Sequence, residues 1–161
     1  MTISKKFDDA AGKICEAILP IKPSYYTGRG NELAICTLGS MDLLEEISNS
    51  ILMEKVVIAG RLLSENRGID AIIRFVLANP SITRIILCGQ EIKGHRAGQA
   101  LLSLCKNGAD RTGRIVGAIG PYPTIRSLSR DVEAFRRQIK IIDLIGTTAI
   151  EKIIALVCSK D

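Results

Sequence analysis

Ile85-Ile86-Leu87-Cys88-Gly89-Gln90-Glu91-Ile92-Lys93-Gly94-His95-Arg96-Ala97-Gly98-Gln99-Ala100-Leu101-Leu102-Ser103-Leu104-Cys105-Lys106-Asn107-Gly108 is the stretch that decides the fold. It reads as a buried strand, a glycine-punctuated loop, and a helix closed by a C-terminal glycine. His95 sits where loop meets helix and is the only histidine of the chain. In an open α/β sheet, ligands bind in the crevice beyond the carboxyl ends of the strands. A lone imidazole there is a candidate metal ligand or proton-transfer group.

Outward from this block the same alternation recurs. Strands are expected over residues 33–38, 55–59, 84–88, 114–118 and 140–145. Helices are expected over 7–19, from a Ser40 cap to about Ile51, over 69–78, from a Ser129 cap onward, and from Thr147 or Thr148 to about Cys158. Residues 21–31 hold Pro23, Tyr25, Tyr26, Gly28 and Gly30 and read as a loop, as do residues 119–128 with Gly120-Pro121-Tyr122-Pro123. Connections of this length suit parallel strands rather than hairpins. The expectation is a single Rossmann-like three-layer α/β domain over residues 1–161, with a mostly parallel sheet of about five strands.

Composition agrees. With 47% apolar residues, no Trp and only 4% aromatics, the core must be built of Ile, Leu, Val and Ala, as under a sheet covered on both faces. The net charge is +5, with a modest cluster at Arg126, Arg130, Arg136 and Arg137. No aromatics interleave with these cations to stack bases, so no nucleic-acid partner is expected. Five cysteines without Cys-x-x-Cys spacing, several in apolar runs, read as reduced buried thiols of a cytoplasmic protein. No signal-peptide core and no membrane span of its own is read from the chain.

Several chemistries are disfavoured by what is missing. No Gly-Lys-Ser or Gly-Lys-Thr closes a phosphate loop, and no Gly-x-Gly-x-x-Gly follows the first expected strand. Cys88 with His95 could form a catalytic pair, but Cys88 ends an apolar strand and reads as packing. The Gly39-Ser40 turn before a helix is a plausible phosphate or polar-ligand seat, and equally an ordinary βα turn.

His95-Arg96-Ala97-Gly98 has the His-x-x-Gly form found in corrinoid-binding domains. The wider block Cys88 to Gln99 resembles the cobamide-carrying A subunit of tetrahydromethanopterin S-methyltransferase. So do Thr37-Leu38-Gly39-Ser40, the stretch from Ile58-Ala59-Gly60 to Glu65-Asn66-Arg67-Gly68-Ile69, and Asn107-Gly108 with Gly113-Arg114-Ile115-Val116-Gly117-Ala118. The resemblance covers residues 20–145. It implies a corrinoid whose cobalt takes a methyl group from a methyl-tetrahydropterin and passes it to a thiol such as coenzyme M, in company with other methyltransferase subunits. It implies His95 as axial cobalt ligand. Co(I) prefers no lower ligand, whereas methyl-Co(III) accepts one, and neutral imidazole suits it. Gly39, Ser40, Gly60, Gly89, Lys93, Gly94, Gly98, Gln99, Gly117 and Gly120 are the further candidates for holding the macrocycle and its tail.

The chain departs from the pattern in two places. The longer corrinoid signature has an acid two residues before the histidine, where Lys93 stands, so an orienting partner for His95 must come from elsewhere, with Glu91 or a backbone carbonyl as candidates. Members of the family also continue into a C-terminal membrane anchor, so the chain is read as a truncated form or a soluble relative, whose methyl donor and acceptor could differ. Two other readings stay open: a cofactor-free interaction subunit, and a small α/β enzyme using His95 as general base.

Overall fold

The computed structural model describes residues 23–159. The expected helix over 7–19, and Cys15 within it, lie outside the described residues. Five strands form one sheet: β1 (Tyr25–Thr27), β2 (Leu33–Cys36), β3 (Ile58–Gly60), β4 (Arg84–Gly89) and β5 (Lys140–Ile145), in the spatial order β1-β3-β2-β4-β5. β2 to β5 are parallel, and β1 lies antiparallel to β3 at one edge. The α/β class and mostly parallel five-stranded sheet are as expected, but one strand is not the one the sequence suggested.

Residues 114–118 form no strand. They make only isolated bridges, Ala109 with Ile115 and Arg114 with Thr124. Ile115 and Ala118 are buried in the core while Val116 between them is 46% exposed, a spacing of three rather than two, so the segment lies over the helices instead of entering the sheet. The fifth strand comes instead from the expected loop at residues 21–31. Tyr25, Tyr26 and Thr27 are strand-prone, and as an edge strand they need only one neighbour, with Tyr26 packing into the core.

Side chains of each strand alternate between two cores. Ala34, Cys36, Ile85 and Leu87 face helices α2 (Arg67–Ala78), α3 (Ala97–Asn107) and α4 (Ser129–Gln138). Leu33, Ile35, Ile86 and Cys88 face α1 (Met41–Ser48), the 3-10 turn Ile51–Glu54 and α5 (Ile150–Cys158). Each fully buried Leu or Ile in these layers contributes roughly 1.5–3 kcal/mol. Asp70 in the first turn of α2 is buried, and its carboxylate accepts from the Arg126 and Ser127 amides and the Ser127 hydroxyl. That anchors the long 109–127 excursion to the helical layer.

The caps refine the expected boundaries. Asn66 caps α2 by accepting from the Arg67 amide, and Gly108, with φ +75°, closes α3. Ser40 occupies the cap position of α1 without capping it, Ser129 is the first residue of α4 rather than its cap, and Ala149, not Thr147 or Thr148, precedes α5.

Candidate functional site

β2 is the first parallel strand of the chain. From it the chain goes to β3 on one side, then returns to β4 on the other. The helices that follow β2 and β4 therefore lie on opposite faces, and the switch point falls between these two strands. The turn after β2 and the loop after β4 are clasped together there. The Gly39 amide donates to the Gln90 carbonyl at 2.8 Å, and the Gln90 amide donates to Ser40 Oγ at 2.9 Å. The Ser40 hydroxyl is thus spent on the neighbouring loop, which is why it does not cap α1. Leu38 holds φ +52°, a conformation that costs a branched residue energy and that the buried turn enforces.

The candidate glycines sort by what surrounds them. A Cβ on Gly39 would meet Ile92 Cγ1 at 2.9 Å, one on Gly60 would meet Tyr25 Cβ at 3.1 Å, and one on Gly98 would meet Ile145 Cδ1 at 2.9 Å. Gly89 abuts Thr37 and Ser40, Gly117 lies against Asn107, and Gly120 lies against the Glu65 carboxyl. These close approaches are made to the protein itself. Gly94 differs: its φ is +84°, and nothing stands within 4 Å of where its Cβ would be. It is the third residue of a turn closed by the His95 amide donating to the Ile92 carbonyl at 2.9 Å, a position that type II turns reserve for positive φ.

His95 follows that turn. Its Nδ1 lies 2.9 Å from Glu65 Oε2, and the side chains are 42% and 1% exposed, respectively. Glu65 Oε1 accepts from the Tyr122 amide at 3.0 Å. Burial pushes the Glu65 pKa up, but its own backbone amide, the Tyr122 amide and the His95 imidazole outweigh burial and hold it below the ordinary carboxylate value. An ionised carboxylate can only accept, so Nδ1 carries the proton and donates. In neutral imidazole that leaves the Nε2 lone pair free, and no hydrogen bond reaches Nε2 among the described residues.

Glu91 does not orient His95. Its carboxylate accepts from the Gly98 and Gln99 amides at 3.2 and 2.9 Å and so caps α3, where an acid is favoured. Gln99 clamps the next loop: Nε2 donates to Ser103 Oγ and to the Gly117 carbonyl, and Oε1 accepts from the Ile119 amide at 3.1 Å. Lys93 is exposed beside Gly94. Three loops therefore meet at His95, carrying Glu65, His95 and the 117–122 segment. Leu63, Ile119 and Tyr122 on these loops are 42%, 65% and 69% exposed.

Sequence reasoning passed over Glu65, Arg61 and the Tyr122 amide. Glu65 stood inside the stretch that carried the family resemblance, an acid a few residues past a strand end, and that was its only signal. Arg61 leaves β3 at the same edge. Its guanidinium donates from NH2 to the Gly39 carbonyl at 3.1 Å, while its buried Nε has no partner among the described residues.

Residues 15–160 match the family of the tetrahydromethanopterin S-methyltransferase A subunit. The chain belongs to that family. It is 38% identical over 142 residues to the A subunit of the putative methyltransferase Mtx of Methanosarcina acetivorans, covering 87% of this chain and 68% of that protein. It is 36% identical over 115 residues to the second tetrahydromethanopterin S-methyltransferase A subunit of Methanothermobacter thermautotrophicus, covering 70% and 60%. Against the A subunit of Methanocaldococcus jannaschii it is 37% identical over 123 residues and spans 49% of that protein's length. No helix among the described residues is long and apolar enough to cross a membrane.

Proposed function

We propose that residues 1–161 act as one corrinoid-binding methyl-carrier unit of a methyltransferase, with His95 as axial ligand to the cobalt of a cobamide. The observation that carries the reading is the donor set. One half-exposed imidazole whose Nε2 has no hydrogen bond among the described residues suits a metal whose other positions are filled by a macrocycle. A buried carboxylate on the other ring nitrogen is the usual companion of a ligating histidine. Exposed Leu63, Ile119 and Tyr122 offer apolar surface to a flat ring, and the open space at Gly94 lets such a ring approach the backbone.

When bound, the cobamide supplies a cobalt centre that accepts a methyl group and gives it up to a thiol. The chain's own part is to bind, orient and release. Glu65 keeps the imidazole in the ligating tautomer, and the clasp between residues 37–40 and 89–92 fixes the base of the loop that carries it. We take Arg61, whose buried Nε has no partner among the described residues, and exposed Lys93 as the cations for a phosphate-bearing tail. Gly39, Ser40, Gly60, Gly89, Gly98, Gln99, Gly117 and Gly120 support the site by holding these loops together. We take a methyl-tetrahydropterin as donor, a thiol such as coenzyme M as acceptor, and other methyltransferase subunits as partners, because relatives are named as subunits of an S-methyltransferase of tetrahydromethanopterin.

The test is electron paramagnetic resonance of cobalamin-loaded protein reduced to Co(II), with 15N-labelled histidine. The axial nitrogen splitting should follow the label and vanish in His95→Ala. A labelled sample whose splitting is that of the corrinoid's own base would overturn the assignment, even if cobalamin still bound. A Glu–His pair with free Nε2 is also the geometry of a general base. Failure to bind any corrinoid would favour that reading.

A further inference from the structure

The two helical layers differ in charge. Residues 67–78 and 97–138, on one side of the sheet, carry nine Lys and Arg against four Asp and Glu. Residues 41–55 and 150–158, on the other side, carry two against five. The first layer therefore attracts anions and the second repels them. On the basic side, the start and the end of the 109–127 excursion meet beside α4. They leave a cleft of about 270 Å3, lined by residues 109–113 on one wall and by 125–129, Val132 and Glu133 on the other.

The walls are fixed without a ligand. The Ile125 amide donates to the Gly113 carbonyl at 2.9 Å, and the Gly113 amide donates to the Asp110 carbonyl at 3.0 Å. A Cβ on Gly113, whose φ is +83°, would stand 2.3 Å from the Ile125 carbonyl oxygen, so only glycine lets the walls come this close. The second wall is anchored by buried Asp70, which accepts from the Arg126 and Ser127 amides.

The charges at the cleft differ in what they are free to do. Asp110 Oδ1 accepts from the Thr112 amide, the Thr112 hydroxyl and the Arg114 amide. Glu133 Oε1 accepts from Arg136 Nη1 at 2.7 Å. Both acids are thus engaged by the chain itself. Arg111 and Arg126, one on each wall, are exposed, and neither makes an ion pair among the described residues. Between them Ile125 and Val132 form a buried apolar floor. Two guanidinium groups over an apolar floor suit a small molecule with two negative charges and a short carbon body.

We propose that this cleft binds a small organic dianion, a dicarboxylate or a phosphate monoester, with Arg111 and Arg126 as its charged contacts. The site is separate from the loops around His95 and does not rest on the reading of His95 as cobalt ligand.

The probes are succinate and methyl phosphate at pH about 7, where both are largely dianionic, with ionic strength held constant by chloride. 15N-edited NMR of the whole chain reads the binding. At least one probe should shift the Arg111, Gly113 and Arg126 amides and saturate in the millimolar range or below. Arg111→Gln and Arg126→Gln should each weaken that binding about tenfold or more. Both side chains are exposed and unpaired, so these variants should keep the circular dichroism of the unaltered protein. Arg137→Gln removes the same charge from α4 outside the cleft and should leave the affinity within about twofold.

No saturable shift with either probe overturns the proposal. An equal loss in Arg137→Gln also overturns it, by assigning the binding to the general positive field. If a Glu-Glu dipeptide capped at both ends binds there and neither small dianion does, the occupant is a protein segment and the proposal fails. Saturating aquocobalamin should leave the affinity unchanged. Displacement by aquocobalamin would make the cleft part of a corrinoid site and overturn its assignment as a separate one. A protein that binds the dianion but no aquocobalamin still supports it.

Discussion

Gly89→Ala and Gly94→Ala separate a glycine that serves the fold from one that leaves room for a ligand. Both residues have positive φ, +77° and +84°. That region costs an L-residue about 1–2 kcal/mol, offset by about 0.4–1 kcal/mol because Ala also restrains the unfolded chain. Gly94→Ala meets no atom within 4 Å, so the backbone effect is the whole effect, about 0.5–1.5 kcal/mol of destabilisation. Gly89→Ala carries the same backbone effect and an overlap. Its Cβ would press on the Thr37 carbonyl oxygen and lie 2.8 Å from Ser40 Oγ. Relief requires the 37–40 turn to draw back, which breaks the Gly39–Gln90 and Gln90–Ser40 hydrogen bonds, each worth about 0.5–1.5 kcal/mol net.

The expected loss for Gly89→Ala is therefore about 2–4 kcal/mol. Urea unfolding followed by circular dichroism reads the difference. With an m-value of about 2 kcal/mol/M, the midpoint should fall by about 1–2 M for Gly89→Ala and by less than about 0.7 M for Gly94→Ala, with m unchanged. On the binding side the order reverses: Gly94→Leu should stay folded while its affinity for aquocobalamin falls. If Gly89→Ala is no less stable than Gly94→Ala, the clasp between the two loops does not hold as described, and the sorting of the glycines fails with it.

Two further expectations concern titration. Burial pushes the Cys36 thiol up to about 12, and burial with the neighbouring Cys36 does the same to Cys88. Both should therefore resist iodoacetamide at pH about 8 until the protein is unfolded. Rapid labelling of either in the native protein would contradict their burial. Since these raised values favour the protonated native state, their contribution to stability should decline as the pH rises from 9.0 towards about 12. Glu65 works in the opposite sense: its folded pKa lies below the ordinary 4.5, so its contribution is present above that value and lost as the pH falls through the depressed one. The stability gap between the unaltered protein and Glu65→Gln should be full above 4.5 and narrow as the pH falls below it; a gap that stays unchanged through that fall refutes the assigned ionisation.

The layered α/β fold was legible because its signals are local. The apolar run 85–88 and the stop at Gly108 each act within a few residues. The errors lie where tertiary packing decides. Residues 114–118 are apolar enough for a strand, but the sheet's edge beside β3 is taken by Tyr25–Thr27, and Ile115 and Ala118 find their burial over the helices. His95 could be singled out from its uniqueness and its loop, whereas its partner could not. Thirty residues separate Glu65 from His95, and only the parallel order of β3, β2 and β4 brings their loops together.

That separation has a physical consequence. A partner two residues before the histidine would sit at Lys93, in an exposed turn, where water competes for every hydrogen bond. Glu65 instead lies just ahead of α2 and is covered by Gly120, so its negative charge is stabilised by backbone amides rather than by solvent. The imidazole is thus held by a carboxylate whose own position depends on a third loop. A partner drawn from across the sheet ties the ring to the rim of the site, because the carboxylate that faces His95 Nδ1 also accepts from the Tyr122 amide.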